Sequence, residues 1–242
     1  MLGASKWGLM VNPVAGDCSL SSDVKLIIRS DDADGSTTFT DSSAGGHSIS
    51  RVNVAHETDQ AKIGGSSILT TAVGDELSVA NHSDFDIDKG DAFTMEAWVY
   101  VPSGNAAYRY IFSKGGGAPG FVMQIGSDEK VYCQIGTTGS GGQRVLFGGI
   151  SISTDQWVHI AWTYDGITHT RSGMKVFIGG VDTADVDGGD NTWGTSSSNS
   201  SALKICRTDS GSSSALYIDQ PMFTRAVRYT TGFTPSTGLC YE

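Results

Sequence analysis

The sequence has 242 residues, of which 38% are hydrophobic and 17% charged, with 32 glycines and a net charge of −10. This composition is typical of a glycine-rich globular chain and excludes a disordered one. The arginines stand singly along the chain, so we expect no nucleic-acid partner, which would need a concentrated basic face to neutralise phosphates.

Residues 1–23 differ from the rest of the chain. They are mixed in character, contain Pro13 and Gly16 and precede the first clear strand, so we expect either an N-terminal arm or a strand added at a sheet edge. The apolar run 7–11 is too short for a signal peptide or a membrane span. We therefore expect a soluble protein, made in a cytoplasm, without membrane insertion.

From residue 24 onward the chain is predicted to form one domain of strands. Short apolar runs with a period of two alternate with clusters of Gly, Ser, Asp and Asn, which is the pattern of strands and tight turns. The predicted strands are 24–29, 47–55, 66–70, 76–80, 93–101, 108–113, 120–126, 130–136, 144–151, 157–164, 174–179, 202–207 and 214–223. Helix signals are almost absent, so the pattern predicts an all-β fold, a two-sheet antiparallel jelly-roll sandwich over residues 24–242.

The run 93–101 is largely apolar on both faces. Its odd-numbered residues, from Phe93 to Val101, are all apolar, and Trp98 and Tyr100 lie on the opposite face. The run 157–164 has the same property. We expect one face to pack on the opposing sheet and the other to be covered by loops or by a partner.

Four cysteines are widely spaced, at Cys18, Cys133, Cys206 and Cys240, without a CxxC motif or a histidine at metal-ligand spacing. The cysteines therefore predict no zinc site. Cys133 and Cys206 fall in predicted strands, where a free thiol acts as a small buried hydrophobe. A bridge between Cys18 and Cys240 would tie the two ends of the chain together, and the sequence leaves their oxidation state open.

Four ordered segments of the chain carry a family resemblance. They are DADGSTTFTDSSAGGHSIS (32–50), GDAFTMEAWVYV (90–101), DQWVHIAWTYDG with MKVFIGG (155–180) and LYIDQPMFTRAVRYTTGFTPS (216–236). Together they resemble the laminin-G-like, concanavalin A-type jelly roll, and the last segment is similar to the version found in tailed-phage structural proteins. The resemblance implies a non-catalytic binding or structural module with glycan or protein partners, sometimes with a calcium ion.

The same sandwich also carries glucanases, which makes a glycoside hydrolase the enzyme hypothesis to consider. Such chemistry needs two carboxyl groups about 5–5.5 Å or about 6.5–9.5 Å apart, and glucanases of this fold place them as Glu-x-Asp-x-x-Glu. None of the five glutamates begins that pattern. Glu96 is predicted to be a structural acid or an arginine partner, and His159 a hydrogen-bonded strand histidine. We therefore expect that the protein is not an enzyme.

Two aspartates are candidate calcium ligands by resemblance. Asp41 and Asp219 match places where calcium-binding members of this broad family put acidic ligands, and an ion there would join an early loop to the last strand as a structural cofactor. Gln220 follows Asp219 where a second acid would add charge. The alternative is that Asp41 caps a turn and that Asp219 accepts backbone or arginine hydrogen bonds. The Asp-rich loop 84–91 is a further candidate.

A glycan site needs an exposed aromatic ring with polar groups beside it. Trp193 lies in a loop-like stretch, and Tyr108 and Tyr110 follow another, so these three are the candidate ligand-binding residues. The alternative for Trp193 is that it folds back over the end of the sandwich. Both sets are equally suited to a protein partner.

Three functions are expected, in order. The first is a virion structural protein of a tailed phage that decorates the capsid or forms part of a tail fibre, with other virion proteins and cell-surface glycans as partners. The second is a stand-alone carbohydrate-binding module, and the third a glycoside hydrolase. A homo-oligomer, with a trimer as a guess, fits the symmetry of virion proteins.

Overall fold

The computed structural model describes residues 20–88, 90–104, 108–115, 120–136, 144–168, 171–183, 199–210 and 215–240. Within these ranges the chain forms strands and two single-turn 3-10 helices, Ser83–Phe85 and Arg171–Gly173. The strands are β1 (Val24–Ile27), β2 (Ile49–Val52), β3 (Ala55–Glu57), β4 (Ser67–Thr70), β5 (Glu76–Val79), β6 (Phe93–Tyr100), β7 (Tyr108–Lys114), β8 (Gly120–Ile125), β9 (Lys130–Gly136), β10 (Arg144–Ser151), β11 (Trp157–Tyr164), β12 (Met174–Ile178), β13 (Val181–Asp182), β14 (Leu203–Ser210) and β15 (Leu216–Thr224).

The strands form two antiparallel sheets that pack as a sandwich, which confirms the predicted fold. The eight-stranded sheet has the order β13-β12-β11-β6-β15-β4-β3, with β1 also paired to β15. The seven-stranded sheet has the order β10-β9-β8-β7-β14-β5-β2. Strands distant in sequence are neighbours in both sheets, which is the jelly-roll pattern.

The core lies between the inner faces of the two sheets. Trp162 and Tyr164 of β11 and Phe93 of β6 are fully buried, and the rings of Phe93 and Trp162 meet edge to face with centroids 4.9 Å apart. Each large apolar side chain buried in this way contributes about 1.5–3 kcal/mol to the free energy of folding. The odd-numbered residues of β6 therefore form the inner face, as their alternation predicted.

The structure divides one predicted strand into two. The run 47–55 divides into β2, which pairs with β5 in the seven-stranded sheet, and β3, which pairs with β4 in the other sheet. Asn53 between them has a φ of 51°. A residue in this left-handed region interrupts the extended backbone, and asparagine tolerates it better than most residues. The chain therefore changes sheets at Asn53, which the apolar pattern alone did not indicate.

The C-terminal segment 225–240 crosses the outer face of the eight-stranded sheet. Trp98 of β6 donates its Nε1 hydrogen to the carbonyl oxygen of Ser236, at 2.9 Å. The rings of Tyr229 and Phe233, both in the segment, are stacked with centroids 3.5 Å apart, and Phe177 of β12 packs against them. This covering explains why both faces of β6 and β11 are apolar.

A buried ionic cluster lies under this segment. Glu96 of β6 accepts a hydrogen bond from the Tyr229 hydroxyl at 2.7 Å, and its other oxygen lies 2.7 Å from Arg228 Nε. His159 Nε2 lies 3.2 Å from the same carboxylate. Burial, the largest influence, raises the pKa of Glu96, but the charge of Arg228 and the contact with His159 outweigh it and hold the pKa below its usual range. The prediction that Glu96 is a structural acid with an arginine partner is confirmed.

The cysteines divide into two kinds. Cys133 and Cys206 are free and buried in the core, as predicted. Cys240 is disulfide-bonded. Cys18, for which the sequence leaves a bridge to Cys240 open, lies in the stretch 1–19, outside the described residues, as does most of the predicted N-terminal arm. Among the described residues, no helix is long and apolar enough to cross a bilayer.

Candidate ligand-binding groove

An open groove lies over the outer face of the seven-stranded sheet, across β7, β8, β9 and β14. Its volume is about 830 Å³, which is within the range of about 300–1,000 Å³ that is usual for ligand sites. The residues that line it are Tyr108, Tyr110, Ser113, Gly115, Val122, Gln124, Ser127, Asp128, Tyr132, Gln134, Ser201, Ala202, Lys204 and Arg207.

Side chains that face the groove alternate with core side chains along each strand. On β8, Gln124 faces the groove while Met123 is fully buried in the core. On β9, Tyr132 and Gln134 face the groove while Cys133 between them is buried. Because successive side chains of a strand point to opposite faces, this alternation places the amides and phenols on the floor of the groove.

The strand registers arrange these side chains in two rows that each cross four strands. The first row consists of Arg207, Tyr110, Gln124 and Tyr132, at directly paired positions. The second row consists of Lys204, Ser113, Val122 and Gln134. Neighbouring strands lie about 4.7–4.9 Å apart, so each row is about 14 Å long. The groove floor therefore offers an ordered set of contacts along its length.

A register shift in β7 keeps both rows on the same face. The shift lies between Tyr110 and Phe112, so that Ser113 faces the groove although it is three residues after Tyr110. A strict alternation would have placed these two side chains on opposite faces. The irregularity of β7 is thus part of the construction of the groove.

Charged groups border the groove at the β14 side. The carboxylate of Glu76, on the adjacent strand β5, lies 2.9 Å from Lys204 Nζ and 3.5 Å from an Arg207 terminal nitrogen. These contacts hold the two cations against the sheet and partly neutralise them. An ammonium has three N–H donors and Glu76 accepts from one, so Lys204 keeps donors for a ligand.

Asp128 stands at the opposite side of the groove. It accepts a hydrogen bond from the Tyr132 hydroxyl at 2.8 Å, and Lys130 Nζ lies 3.6 Å away. Desolvation raises the pKa of Asp128, but the Tyr132 hydrogen bond, backbone amides and the Lys130 charge outweigh it, so the pKa lies below its ordinary value. The ionised carboxylate fixes the orientation of the Tyr132 ring.

The groove suits recognition better than hydrolysis. Aromatic rings offer apolar faces, and amide, hydroxyl and charged groups offer both donors and acceptors at fixed positions. Glycoside hydrolysis needs two carboxyl groups that flank the scissile bond. Asp128 is the only acid among the residues that line the groove in the described part of the chain.

The structure brings together two of the three aromatic residues that the sequence singled out. Tyr108, which is 43% exposed, and Tyr110 both line the groove. Trp193 lies outside the described residues. The sequence reasoning missed Gln124 and Tyr132, although the polar residues at alternate positions of 120–126 and 130–136 were a signal for a polar outer face.

Asp41 organises the loop that follows it. Its carboxylate accepts hydrogen bonds from the backbone N–H groups of Ile27, Ser43 and His47, at 3.1, 2.9 and 2.8 Å, and from the Ser43 hydroxyl at 3.0 Å. Both oxygens thus face hydrogen-bond donors. Calcium takes six to eight oxygen ligands, and an aspartate occupied in this way is a poor contributor to such a set.

Asp219 lies on β15, fully buried. One carboxylate oxygen accepts hydrogen bonds from the N–H groups of Lys62 and Ile63, at 3.1 and 2.8 Å, and the other has no hydrogen-bond partner within the described part of the chain. Burial is the main cause that raises the pKa of Asp219 to about 7. No cluster of three metal-ligating side chains forms around Asp41 or Asp219 among the described residues. A calcium ion held by Asp41 and Asp219 therefore stays a prediction.

Comparison with known proteins agrees with this fold. Residues 71–221 match the family model of a laminin G-type domain in the concanavalin A-like lectin/glucanases superfamily. No curated protein sequence matches the chain significantly.

Solved structures with a similar fold are binding domains of clostridial-type toxins. The binding domain of Paraclostridial Mosquitocidal Protein 1 superposes with a TM-score of 0.63 at 12% identity, over 85% of this chain and 49% of that one. The binding domain of botulinum neurotoxin DC in complex with rat synaptotagmin II has a TM-score of 0.60 at 12% identity, over 84% and 48%. The botulinum neurotoxin serotype D ligand-binding domain in complex with N-acetylneuraminic acid has a TM-score of 0.57 at 12% identity, over 85% and 48%. The chain spans about half the length of these structures.

Proposed function

Because the chain belongs to the concanavalin A-like lectin/glucanases superfamily, we propose that it is a non-catalytic recognition module that binds an oligosaccharide in the groove over its seven-stranded sheet. The observation that carries the proposal is the pair of rows across four strands. Sugar rings have apolar faces and hydroxyl edges; the first row places an amide between two phenol rings, and the second row adds a hydroxyl group and a second amide. An extended saccharide fits a floor about 14 Å long better than a single small molecule does.

The charged side chains at the two sides of the groove favour a neutral or mildly acidic saccharide as the ligand. Lys204 and Arg207 at one side of the groove are partly neutralised by Glu76, and Asp128 at the other side is held by Tyr132. A strongly anionic polymer would need unpaired cations along its whole length. The groove instead offers mixed donors and acceptors, which suit hydroxyl groups.

The absence of a second groove carboxylate in the described lining supports a non-catalytic role. Glu96, the glutamate of the central strand, is 3% exposed and lies under the C-terminal segment, where a substrate has no access. Two of the neighbouring folds were solved in complex with N-acetylneuraminic acid and with rat synaptotagmin II, and we propose a recognition role of the same general kind for this chain.

The proposal is tested by screening the purified protein on a glycan array and titrating each hit by calorimetry. We expect Tyr108→Ala and Gln124→Ala each to weaken binding at least about tenfold, equivalent to about 1.4 kcal/mol. Tyr108 is well exposed, so its removal leaves the core intact.

Tyr217→Ala is the matched control. Tyr217 lies on β15 in the eight-stranded sheet, with its ring 5.6 Å from that of Tyr100, and does not line the groove. We expect Tyr217→Ala to bind the glycan with the same affinity as the unmodified protein. An array without any hit, or a loss of affinity in Tyr217→Ala alone, contradicts the groove as the site.

We further propose that the module acts on the surface of a tailed-phage particle, as a capsid decoration or a tail-fibre part. Support comes from the closing segment 216–236, which is similar to that of phage structural proteins, and from the disulfide at Cys240, since disulfides persist outside the reducing cytoplasm. Cryo-microscopy of the particle encoded beside this gene is expected to show copies in fixed stoichiometry. A particle without any copy contradicts this setting and leaves the groove proposal standing.

A further inference from the structure

Three metal-ligating side chains converge at one end of the sandwich, away from the residues that line the groove. They are His47, in the loop before β2, and His82 and Asp84, in the loop after β5. His47 Nε2 lies 3.0 Å and His82 Nδ1 3.3 Å from the same oxygen, Asp84 Oδ2. The three ligand atoms all lie within 4.8 Å of one another.

Two of these distances are close to those of a tetrahedral metal site. Zinc holds imidazole nitrogens and carboxylate oxygens at about 2.0–2.2 Å, so that the corners of its tetrahedron lie about 3.4 Å apart. The two nitrogen–oxygen distances, 3.0 and 3.3 Å, are within a few tenths of an ångström of that value. The two histidine nitrogens lie within 4.8 Å of each other, and side-chain rotation would bring them to the same separation.

The hydrogens at the cluster leave His82 Nδ1 with a lone pair and no hydrogen, because this nitrogen accepts a hydrogen bond from the backbone N–H of Asp84, at 3.2 Å. An imidazole nitrogen has a single lone pair, so an ion bound at Nδ1 takes the place of that hydrogen bond. The ion also separates the nitrogen from the carboxylate oxygen of Asp84, and so replaces the repulsion between two electron-rich atoms by two attractions.

The ligands are held in place by groups outside the cluster. Asp41 accepts the backbone N–H of His47, and the His47 ring packs against the buried ring of Phe85 with centroids 4.8 Å apart. Metal ligands are usually oriented by such outer partners. His47 is thus held in place before any ion arrives, and Asp84 is positioned by the single turn Ser83–Phe85.

We propose that His47, His82 and Asp84 bind a zinc-like divalent transition-metal ion. Imidazole nitrogens suit zinc, copper and nickel, whereas calcium and magnesium require oxygen ligands, so the donor set selects against calcium at these three residues. The fourth position faces solvent, because His82 is half exposed, and takes a water molecule. The ion joins the loop before β2 to the loop after β5 and so stabilises the end of the sandwich.

Calorimetric titration of metal-free, tag-free protein with ZnCl2 and separately with CaCl2 tests the proposal. We expect one zinc ion per chain, an increase in Tm with zinc and no displacement of zinc by calcium. Cobalt substitution is expected to give the intense visible absorption of a tetrahedral site. His82→Ala and Asp84→Asn should each weaken zinc binding at least about tenfold, since even outer partners of metal ligands contribute about 10–100-fold.

Asp182→Asn is the matched control, because Asp182 is a carboxylate of similar exposure on the edge of the other sheet. It should bind zinc like the unmodified chain. His82 and Asp84 are both partly exposed, so their variants retain the core, which circular dichroism verifies. Absence of zinc binding at millimolar concentration, or equal affinity in His82→Ala, Asp84→Asn and Asp182→Asn, overturns the proposal. Neither result affects the groove.

Discussion

Replacing Glu96 by glutamine removes the anionic partner of Arg228 from a buried cluster. Glu96 is 3% exposed, and its carboxylate contacts Arg228 Nε at 2.7 Å, the Tyr229 hydroxyl at 2.7 Å and His159 Nε2 at 3.2 Å. Glutamine has nearly the same shape, so packing is preserved and only the charge is lost. The guanidinium of Arg228, whose side chain is 15% exposed, then loses this counter-ion.

The expected loss of stability is large for a single substitution. Breaking a buried ion pair by removing one partner costs about 3–5 kcal/mol. A chain of this length loses about 2 °C of Tm per kcal/mol, so Tm should fall by about 6–10 °C. The change should also release the segment 225–240, since Arg228 and Tyr229 both belong to it.

Differential scanning calorimetry and limited proteolysis measure the two effects. Asp182→Asn breaks an exposed pair with Lys175 and is the control, with an expected loss of no more than about 1 kcal/mol. Equal Tm values for Glu96→Gln and the unmodified chain would refute the reasoning that the cluster fastens the C-terminal segment.

The pH dependence of stability gives an independent check on Glu96. Its pKa in the folded protein is below the ordinary value, despite burial, because of Arg228 and His159. A carboxyl with a lowered folded pKa stabilises the fold above its unfolded pKa and loses that contribution as the pH falls through the folded one. The acid limb of the stability curve should therefore be shallower in Glu96→Gln.

Two further predictions concern positions beside this covered face. Gly180 has a φ of 80°, and a Cβ there would overlap the carbonyl oxygen of Phe233, whereas a Cβ at Gly179 meets open space. Gly180→Ala should therefore lower the free energy of unfolding by more than about 1 kcal/mol relative to Gly179→Ala. Similar urea midpoints for the two variants would contradict this. Asp219 has its pKa raised from 3.8 to about 7 by burial, so the stability it gives is present at low pH and is lost as the pH rises through about 7. Asp219→Asn resembles the protonated form and should be more stable than the unmodified protein at pH 8, by up to about 4 kcal/mol, because the pKa is raised by about three units and each unit corresponds to about 1.36 kcal/mol. Urea unfolding measured across the pH range checks this, and parallel stability curves for the two proteins would contradict it.

The strands were predictable because each is a local pattern. Alternation in 93–101 and 157–164 identified β6 and β11, and the apolar outer face correctly implied a cover. Which segment forms that cover was not predictable, since Tyr229 and Phe233 are far from β6 in sequence. The change of sheet at Asn53 was missed because a single left-handed residue leaves the hydrophobic pattern unbroken.

The groove was predictable only in part, because its rows depend on pairing between distant strands. Tyr110 was singled out for its neighbours in sequence, but its row includes Arg207, nearly a hundred residues later. His47 and His82 are likewise brought together by the pairing of β2 with β5. Local sequence shows which residue types a site contains, whereas the register of the sheets determines which of these residues lie close together.

The pairing of β1 with β15 has a consequence for how the module is displayed. Val24 lies opposite Thr224, and the Arg225 amide donates to the carbonyl oxygen of Asp23 at 2.8 Å, so the first and last described segments meet on the eight-stranded sheet. The groove lies on the outer face of the other sheet. A tether joined to residue 20 or to residue 240 would therefore attach the module through its eight-stranded sheet, with the groove on the side away from the support. Neighbouring copies on a common support would then expose the same face.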